Sequence, residues 1–450
     1  MAKQYDLLAL GTGTAASAAA SRCRGAGWRV AVVDHQPFGG TCQLRGCDPK
    51  KVLVGAAAAI DHDRRLAGKG VLGPARPEID WPGLLRFKES FTADVPQAKE
   101  RSFADSGIDA YHGRARFTGT NSVEIAGETI ESRFILIATG AVPMRLGIAG
   151  EELLATSTDF LNLRDLPARI VFIGGGYIAA ELAHVAARAG ARVIVLERSD
   201  RTLAPFDADL VGWLMERTRA LGIDLRTGTR VDSVARDGAT FVVRATGPGG
   251  QETLPADLVV HAAGRVPDLE PLDLPAAGVR TEKGRLALNG HLQSVSNPSV
   301  YAAGDAAAKG PPLTPVAGRD GRIAARNMLE GNVAVPDYLG VPSVVFTIPP
   351  LAAVGMGERE AGERGLKFRV RQQRAPDWYT ARQAAESAYG FKVLVEEETD
   401  RILGAHLLGP GAAEVINLFA LAIRQGLRAE TLRDAVFAYP TGASDIAYML

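Results

Sequence analysis

The sequence predicts an α/β chain built on two copies of a βαβ unit, followed by a smaller α+β segment. Three observations carry this. The stretch "YDLLALGTGTAASAAASRCRGAGWRVAVVD" (Tyr5 to Asp34) and the stretch "RIVFIGGGYIAAELAHVAARAGARVIVLE" (Arg169 to Glu197) share one pattern. Each has an apolar strand, a glycine turn, an Ala-rich helix ending at Gly, a second apolar strand and then an acid. The last ~110 residues instead pair a hairpin pattern, "FKVLVEEETDRILGAHLLG", with an amphipathic helix pattern, "AAEVINLFALAIRQG".

Each glycine turn makes the same physical demand. Gly11 and Gly13, like Gly174 and Gly176, allow a tight turn and a close backbone approach to a pyrophosphate held at a helix N-terminus. The third small position is Ala16 in the first unit and Ala179 in the second. Asp34 and Glu197 fall where a carboxylate accepts the hydroxyls of an adenosine ribose. Two such units imply two dinucleotide sites. Glu197 favours NADH, because a carboxylate there repels a 2′-phosphate; Arg198 beside it pulls toward NADPH.

Between the units, "DSGIDAYHGRARF" to "ESRFILIATG" alternates like antiparallel sheet. From Arg265 to Val335 a further strand, turn and helix follow, and the Pro-rich "VPDYLGVPSVVFTIPP" reads as a linker or boundary.

Composition narrows the class. At 450 residues, 46% of them apolar, the chain is long enough for about three domains with a large core. Its 51 basic and 51 acidic residues cancel, which argues against nucleic acid or an anionic membrane as partner. No run reaches the roughly 18 apolar residues of a membrane span. Three cysteines are too few for a secreted disulfide scaffold. The expectation is a cytoplasmic globular protein with neither nucleic-acid nor membrane partners.

The stretch "FGGTCQLRGCDPKKV" (Phe38 to Val52) holds two of those cysteines, Cys42 and Cys47. They suit a metal clip, a structural disulfide or a reaction centre. With "GTGTAA", "ATG" (Ala138 to Gly140), "GGGYIAAE", "AGRVPD", "YAAGDAA" and "LTPVA", in this order, the chain resembles the pyridine nucleotide-disulfide oxidoreductases. These include glutathione reductase, dihydrolipoamide dehydrogenase and mercuric reductase, and the likeness covers essentially the whole chain. "CDPKKV" and "GYIAAE" resemble glutathione reductase most.

The resemblance implies two Rossmann-type FAD- and NAD(P)-binding domains and an α+β C-terminal dimerisation domain. The expected division is residues 1–148 and 266–335 for FAD, 149–265 for NADH or NADPH, and 336–450 for the interface of a homodimer. Cys42 is then the interchange thiol that attacks substrate and Cys47 the thiol facing the flavin. Lys51 lies near the flavin with Glu181 as its ion-pair partner, Tyr177 gates the nicotinamide face, and Asp305 binds the ribityl and pyrophosphate region. The same resemblance assigns Ala15, Gly40, Thr41, Ala115, Thr139, Gly140 and Ala317 to FAD, and Ile178 and Gly264 to the nucleotide sites.

A redox disulfide then fits the cysteine pair best. Zinc needs about four ligands, and neither Cys23 nor a histidine cluster completes a set; no metal is expected. A structural disulfide suits a reducing cytosol poorly. Exchange needs a thiolate, and Arg45 is a candidate to stabilise one. Cys23 is expected to be a small helix-face residue.

One departure stands out. The family's tail reads His-Pro-Thr-x-Ser/Ala-Glu, whereas this chain has "FAYPTGASDIAYML". Tyr439 replaces the acid–base His, Ser444 replaces the Glu, and Asp445 lies one residue on; Pro440 and Thr441 are kept. A phenol with a pKa of about 10 donates a proton but is a poor base. The expected activity is transfer from NAD(P)H through FAD to Cys42–Cys47 and on to a small disulfide. Quinone or metal-ion reduction, or a dihydrolipoamide dehydrogenase-like place in a lipoyl complex, are the alternatives. Against the mercuric option, no cysteine follows Cys47.

Overall fold

The run Lys3–Leu10 forms a central strand because its apolar residues are buried on both faces, as parallel sheets require. It pairs in parallel with Val30–Asp34 on one side and Glu128–Ile137 on the other. The computed structural model describes residues 3–72 and 77–450. It forms two units, Met1–Lys50 with Phe87–Met144 and Arg265–Tyr338, and Lys51–Arg86 with Arg145–Gly264 and Leu339–Leu450.

In the first unit the helix Thr14–Gly25 crosses between the first two strands. It buries Ala15, Ala16, Ala19, Ala20 and Cys23, and small residues let the helix Thr314–Glu330 approach closely. A Cβ at Gly321 would collide with the Ala15 carbonyl, so that crossing needs glycine. Cys23 is fully buried, and burial pushes its thiol up to about 12, in keeping with a packing role.

The stretch after residue 105 is not uniformly antiparallel. Asp109–His112 lies parallel to Val30–Asp34 because the helix Val95–Asp105 precedes it, making a crossover rather than a hairpin. Ala115–Phe117, Ser122–Ile125 and the start of Glu128–Ile137 do form an antiparallel meander. Val300–Ala302 completes the seven-stranded sheet beside Glu128–Ile137.

The second unit repeats the βαβ logic. Its four-stranded parallel sheet orders Asp224–Arg226, Arg192–Leu196, Arg169–Ile173 and Leu258–His261. The helix Tyr177–Arg188 crosses over, and a three-stranded meander (Arg230–Asp237, Thr240–Gly247, Gly250–Ala256) flanks the sheet. The same unit carries a five-stranded antiparallel sheet in which Gly390–Glu396 and Ile402–Leu408 form the expected hairpin. The helix Ala412–Gln425 buries its apolar stripe against that sheet.

The Pro-rich passage is more than a linker. Its residues Ser343–Val345 form an edge strand, the kind of strand that tolerates flanking prolines. The following residues, Phe346 to Ile348, are gripped by one face of Tyr177–Arg188. Glu181 Oε1 accepts from Phe346 N at 2.8 Å, and His184 Nδ1 accepts from Ile348 N at 3.1 Å. Arg188 Nη2 donates to the Ile348 carbonyl at 3.1 Å. Spacings of three and four residues put all three side chains on one helix face.

Below that face lies a buried ion network. Asp61 Oδ1 accepts from Arg188 at 2.7 Å and Asp61 Oδ2 from Arg65 at 2.8 Å. Arg217 bridges Asp61 to Glu386, reaching Glu386 Oε1 at 3.0 Å. Nearby in sequence, Asp207, Asp209 and Glu358 close around the ammonium of Lys392 at 2.9, 2.5 and 2.5 Å.

Candidate active site

The short helix Gly40–Arg45 carries Cys42, and the helix Cys47–Leu66 begins at Cys47. Gly46 makes the turn between them; a Cβ there would lie 2.9 Å from the Thr41 carbonyl. Both cysteines are free thiols. Cys42 Sγ donates toward Asp48 Oδ1 at 3.9 Å, and Cys47 Sγ lies 3.8 Å from Thr314 Oγ1.

The two thiols are electrostatically unequal. The neighbouring Cys42 thiol holds Cys47 down to about 6, helped by the charge of Lys50 and the Thr314 hydroxyl and opposed by burial. The proximity of Cys47, with burial, pushes Cys42 well above the ordinary thiol range. Cys47 is therefore the more acidic sulfur of the pair. Arg45 does not supply the expected help. Burial lowers its guanidinium while the charge of Asp34 opposes this, and the cation that lowers Cys47 is Lys50.

The first glycine turn is shaped for a close-lying group. Gly11, at φ +118°, has no room for a Cβ against the Ala138 carbonyl. Gly13 caps the helix Thr14–Gly25 with no side chain on its free N–H groups. Gly40 packs on Gly13, where its Cβ would meet the Gly13 Cα at 2.5 Å. Thr12 donates to Asp34 Oδ2 through N at 3.1 Å and Oγ1 at 2.8 Å, which fixes the carboxylate at the strand end.

Ala15 and Ala317 both lie against Gly304, at 3.3 and 3.1 Å from where its Cβ would be. The next residue, Asp305, is largely buried, and burial raises its carboxyl while the charge of Arg265 opposes this. Among the described residues that carboxylate has no hydrogen-bond partner, which suits an acid awaiting hydroxyls. Thr139 Oγ1 bonds the Asp268 carbonyl at 2.6 Å, and Asp268 N bonds the Gly140 carbonyl at 3.0 Å. Thr41 is exposed beside Cys42. Ala115 turns its side chain into the sheet core with Phe117 and Ile125, leaving its backbone for any cofactor contact.

These features of the first unit fit FAD. A glycine cradle, an uncapped helix N-terminus and a ribose-type acid suit its adenosine pyrophosphate. The unbonded Asp305 suits its ribityl hydroxyls.

The second turn is built alike. Gly174, at φ +103°, sits against the backbone of Ala262 and Ala263, and Gly176 caps its helix without a side chain. Glu197 Oε2 accepts from Gly175 N at 2.6 Å and Oε1 from Ser199 N at 2.7 Å. Arg198 is exposed, and Gly264, at φ +121°, lies in the connection that follows the strand Leu258–His261. Along the helix, Tyr177 packs on Phe206 at 5.5 Å, and burial pushes its phenol up to about 12. Ile178 is partly buried beside it.

Lys51 lies one turn after Cys47 on its helix, and its Nζ sits against the ring of Phe346. Because Glu181 binds the N–H of Phe346, that residue brings Lys51 and Glu181 to one place. Phe346 itself carries no titratable signal and went unread in the sequence.

The tail behaves differently. Tyr439 is 81% exposed. Ser444 is committed to its own helix start, where it donates to the Thr441 carbonyl at 2.6 Å and takes part in a capping box with Thr441. Asp445 is buried and accepts from Tyr389. Neither is available to orient Tyr439.

Comparison with known proteins agrees with this geometry. Residues 5–321 match the pyridine nucleotide-disulphide oxidoreductase family, and residues 341–449 match that family's dimerisation domain. A glutathione reductase of Burkholderia cepacia is 32% identical over 98% of this chain and 97% of its own. A mercuric reductase of Staphylococcus aureus is 33% identical over 98% of this chain and 81% of its own. Among solved structures, the Cu(II) complex of the HOCl-induced flavoprotein disulfide reductase RclA from Escherichia coli superposes with a TM-score of 0.88. It is 28% identical and covers 100% of this chain and 99% of its own. The chain belongs to the pyridine nucleotide-disulphide oxidoreductases, FAD-dependent enzymes that use NAD(P)H and a reactive cysteine pair.

Proposed function

We propose that this chain is an NADH-preferring reductase of a small disulfide, acting as a homodimer in the cytoplasm. The observation that carries the reading is the pair of free cysteines at adjoining helix ends, Cys42 within Gly40–Arg45 and Cys47 at the start of Cys47–Leu66, with Cys47 the more acidic of the two. Two neighbouring thiols can reduce a disulfide by exchange, one attacking and the other resolving the mixed disulfide. Among the described residues no helix is long and apolar enough to cross a membrane.

Residue roles follow the chemistry of the site. FAD, when bound, supplies the relay of two electrons between nicotinamide and sulfur. Gly11, Gly13, Ala15, Asp34, Gly40, Thr41, Ala115, Thr139, Gly140, Asp305 and Ala317 hold it. Gly174, Gly176, Ile178, Glu197, Arg198 and Gly264 hold the nicotinamide nucleotide, and Tyr177 gates the approach. Lys51, anchored beside Glu181 at Phe346, places a positive charge one helical turn from Cys47. Cys42 attacks the substrate and Cys47 resolves the mixed disulfide. The division into 1–148 with 266–335, 149–265 and 336–450 assigns these tasks to FAD, nucleotide and interface.

Glu197 supports NADH over NADPH. Its two oxygens are fixed by Gly175 and Ser199, so it meets a 2′-phosphate as a rigid negative charge. Tyr439 supports reduction over dithiol oxidation, because the partner's copy of a phenol donates a proton more readily than it accepts one.

A second reading is metal-ion reduction, favoured by the kinship to a mercuric reductase and to a flavoprotein solved with Cu(II). Steady-state turnover of the purified protein on oxidised glutathione, other small disulfides, quinones and Cu(II), each with NADH and NADPH, separates the two. Disulfide turnover that is lost in Cys42→Ser supports the first reading. Metal-ion turnover with no disulfide turnover supports the second.

A further inference from the structure

We propose that Asp48 is the proton carrier of Cys42, taking its proton as the sulfur attacks and handing it to the departing thiolate. This deepens the disulfide reading above and rests on it. Asp48 stands in the first turn of Cys47–Leu66. Its Oδ1 lies 3.9 Å from Cys42 Sγ, with the thiol as donor.

The neighbouring groups narrow the choice. From the helix Cys47–Leu66, Cys47 and Lys50 face the pair, and from Thr314–Glu330 the Thr314 hydroxyl does. On Cys42's own helix, the charged residue is Arg45, which interacts electrostatically with Asp34 and, as a guanidinium, has no lone pair to take a proton. Cys47, the more acidic sulfur, is committed to the resolving step. A lysine ammonium has no lone pair to take a proton, and a threonine hydroxyl does not ionise at neutral pH. Asp48 is the carboxylate placed to accept the Cys42 S–H proton and pass it on, leaving Cys47 for the resolving step. Tyr439, poor as a base, leaves that task open.

The step balances. Cys42 Sγ forms a bond to one sulfur of RSSR while the RS–SR bond breaks. The Cys42 proton passes to Asp48 Oδ1 and on to RS⁻, giving RSH; a leaving thiolate of pKa about 8.5 takes it from a carboxylic acid downhill. Cys47 thiolate then attacks Cys42 Sγ, forming Cys42–Cys47 and releasing the second RS⁻. The protein pair loses two electrons and the substrate gains two. The resting carboxylate adds to the forces that keep Cys42 protonated, so the proton is in place when substrate arrives.

The test uses the reduced full-length protein and two readouts. Peptide-resolved alkylation by iodoacetamide against pH reports how tightly Cys42 holds its proton; kcat/KM for a small disulfide reports exchange. In Asp48→Asn, alkylation of Cys42 at pH 7 is expected to rise threefold or more while kcat/KM falls tenfold or more. Asp48→Glu is expected to stay within about threefold of wild type in both. Flavin content confirms the fold of each variant. An Asp48→Asn protein with an unchanged alkylation profile, or with undiminished disulfide turnover, overturns the proposal. If the wild type reduces no disulfide, the reading of the substrate falls instead. The alkylation shift then decides by itself whether Asp48 holds the Cys42 proton.

Discussion

The phenol of Tyr389 donates a 2.6 Å hydrogen bond to Oδ2 of Asp445, and both side chains are buried. The bond explains why an acid one residue past the usual tail position is not an acid for catalysis. Tyr389→Phe leaves that carboxylate buried and short of a donor, a loss of about 1–3 kcal/mol. Chemical denaturation of the variant is expected to show this loss, with disulfide turnover within twofold of wild type.

A second expectation concerns Tyr439. General base catalysis contributes about 10²–10⁴-fold to proton transfer. Tyr439→His is therefore expected to raise dithiol oxidation at pH 7–8 at least tenfold, measured as NADH formation from dihydrolipoamide. Brisk oxidation by the wild type, unaltered in the variant, would remove the argument about direction.

The βαβ units, the hairpin and the C-terminal helix were legible because glycine turns and apolar periodicity are local signals. Gly11 and Gly174 announce their backbone needs in the sequence, and Asp34 and Glu197 follow at readable spacing. Phe346 to Ile348 was not legible. Its strand partner is three residues long between prolines, and its importance comes from Glu181, His184 and Arg188, more than 150 positions away. Arg45 misled for the same reason: proximity in sequence to Cys42 says nothing about Asp34, whose charge acts on it. The stretch after residue 105 misled because one short parallel strand, Asp109–His112, hides at the head of a true meander.

The buried ion network gives a stability prediction. Removing Asp61 strands the charge of Arg188, whereas Arg217 keeps Glu386, and an uncompensated buried charge costs about 3–5 kcal/mol. Asp61→Ala is expected to lower the denaturation midpoint accordingly; Glu363→Ala, at an exposed pair with Arg359, is expected to change stability by less than about 1 kcal/mol.

Nucleotide choice follows from Glu197. The wild type is expected to favour NADH by tenfold or more in kcat/KM. Glu197→Gln removes the charge that repels a 2′-phosphate while Arg198 remains, so the ratio is expected to fall severalfold. Equal use of both nucleotides by the wild type would contradict the assignment.

The central claim is that electrons from the nicotinamide leave the flavin at Cys47, the more acidic sulfur of the pair. Anaerobic addition of one equivalent of NADH tests it through the visible spectrum. A thiolate beside the flavin is expected to give a long-wavelength absorption band. Because the pKa of Cys47 is lowered to about 6 from an ordinary 9, the band is expected to be full above neutrality and to fade as pH drops through about 6. Cys47→Ser is expected to abolish it. A reduced wild type with no such band at pH 8, or a band that survives in Cys47→Ser, would contradict the account.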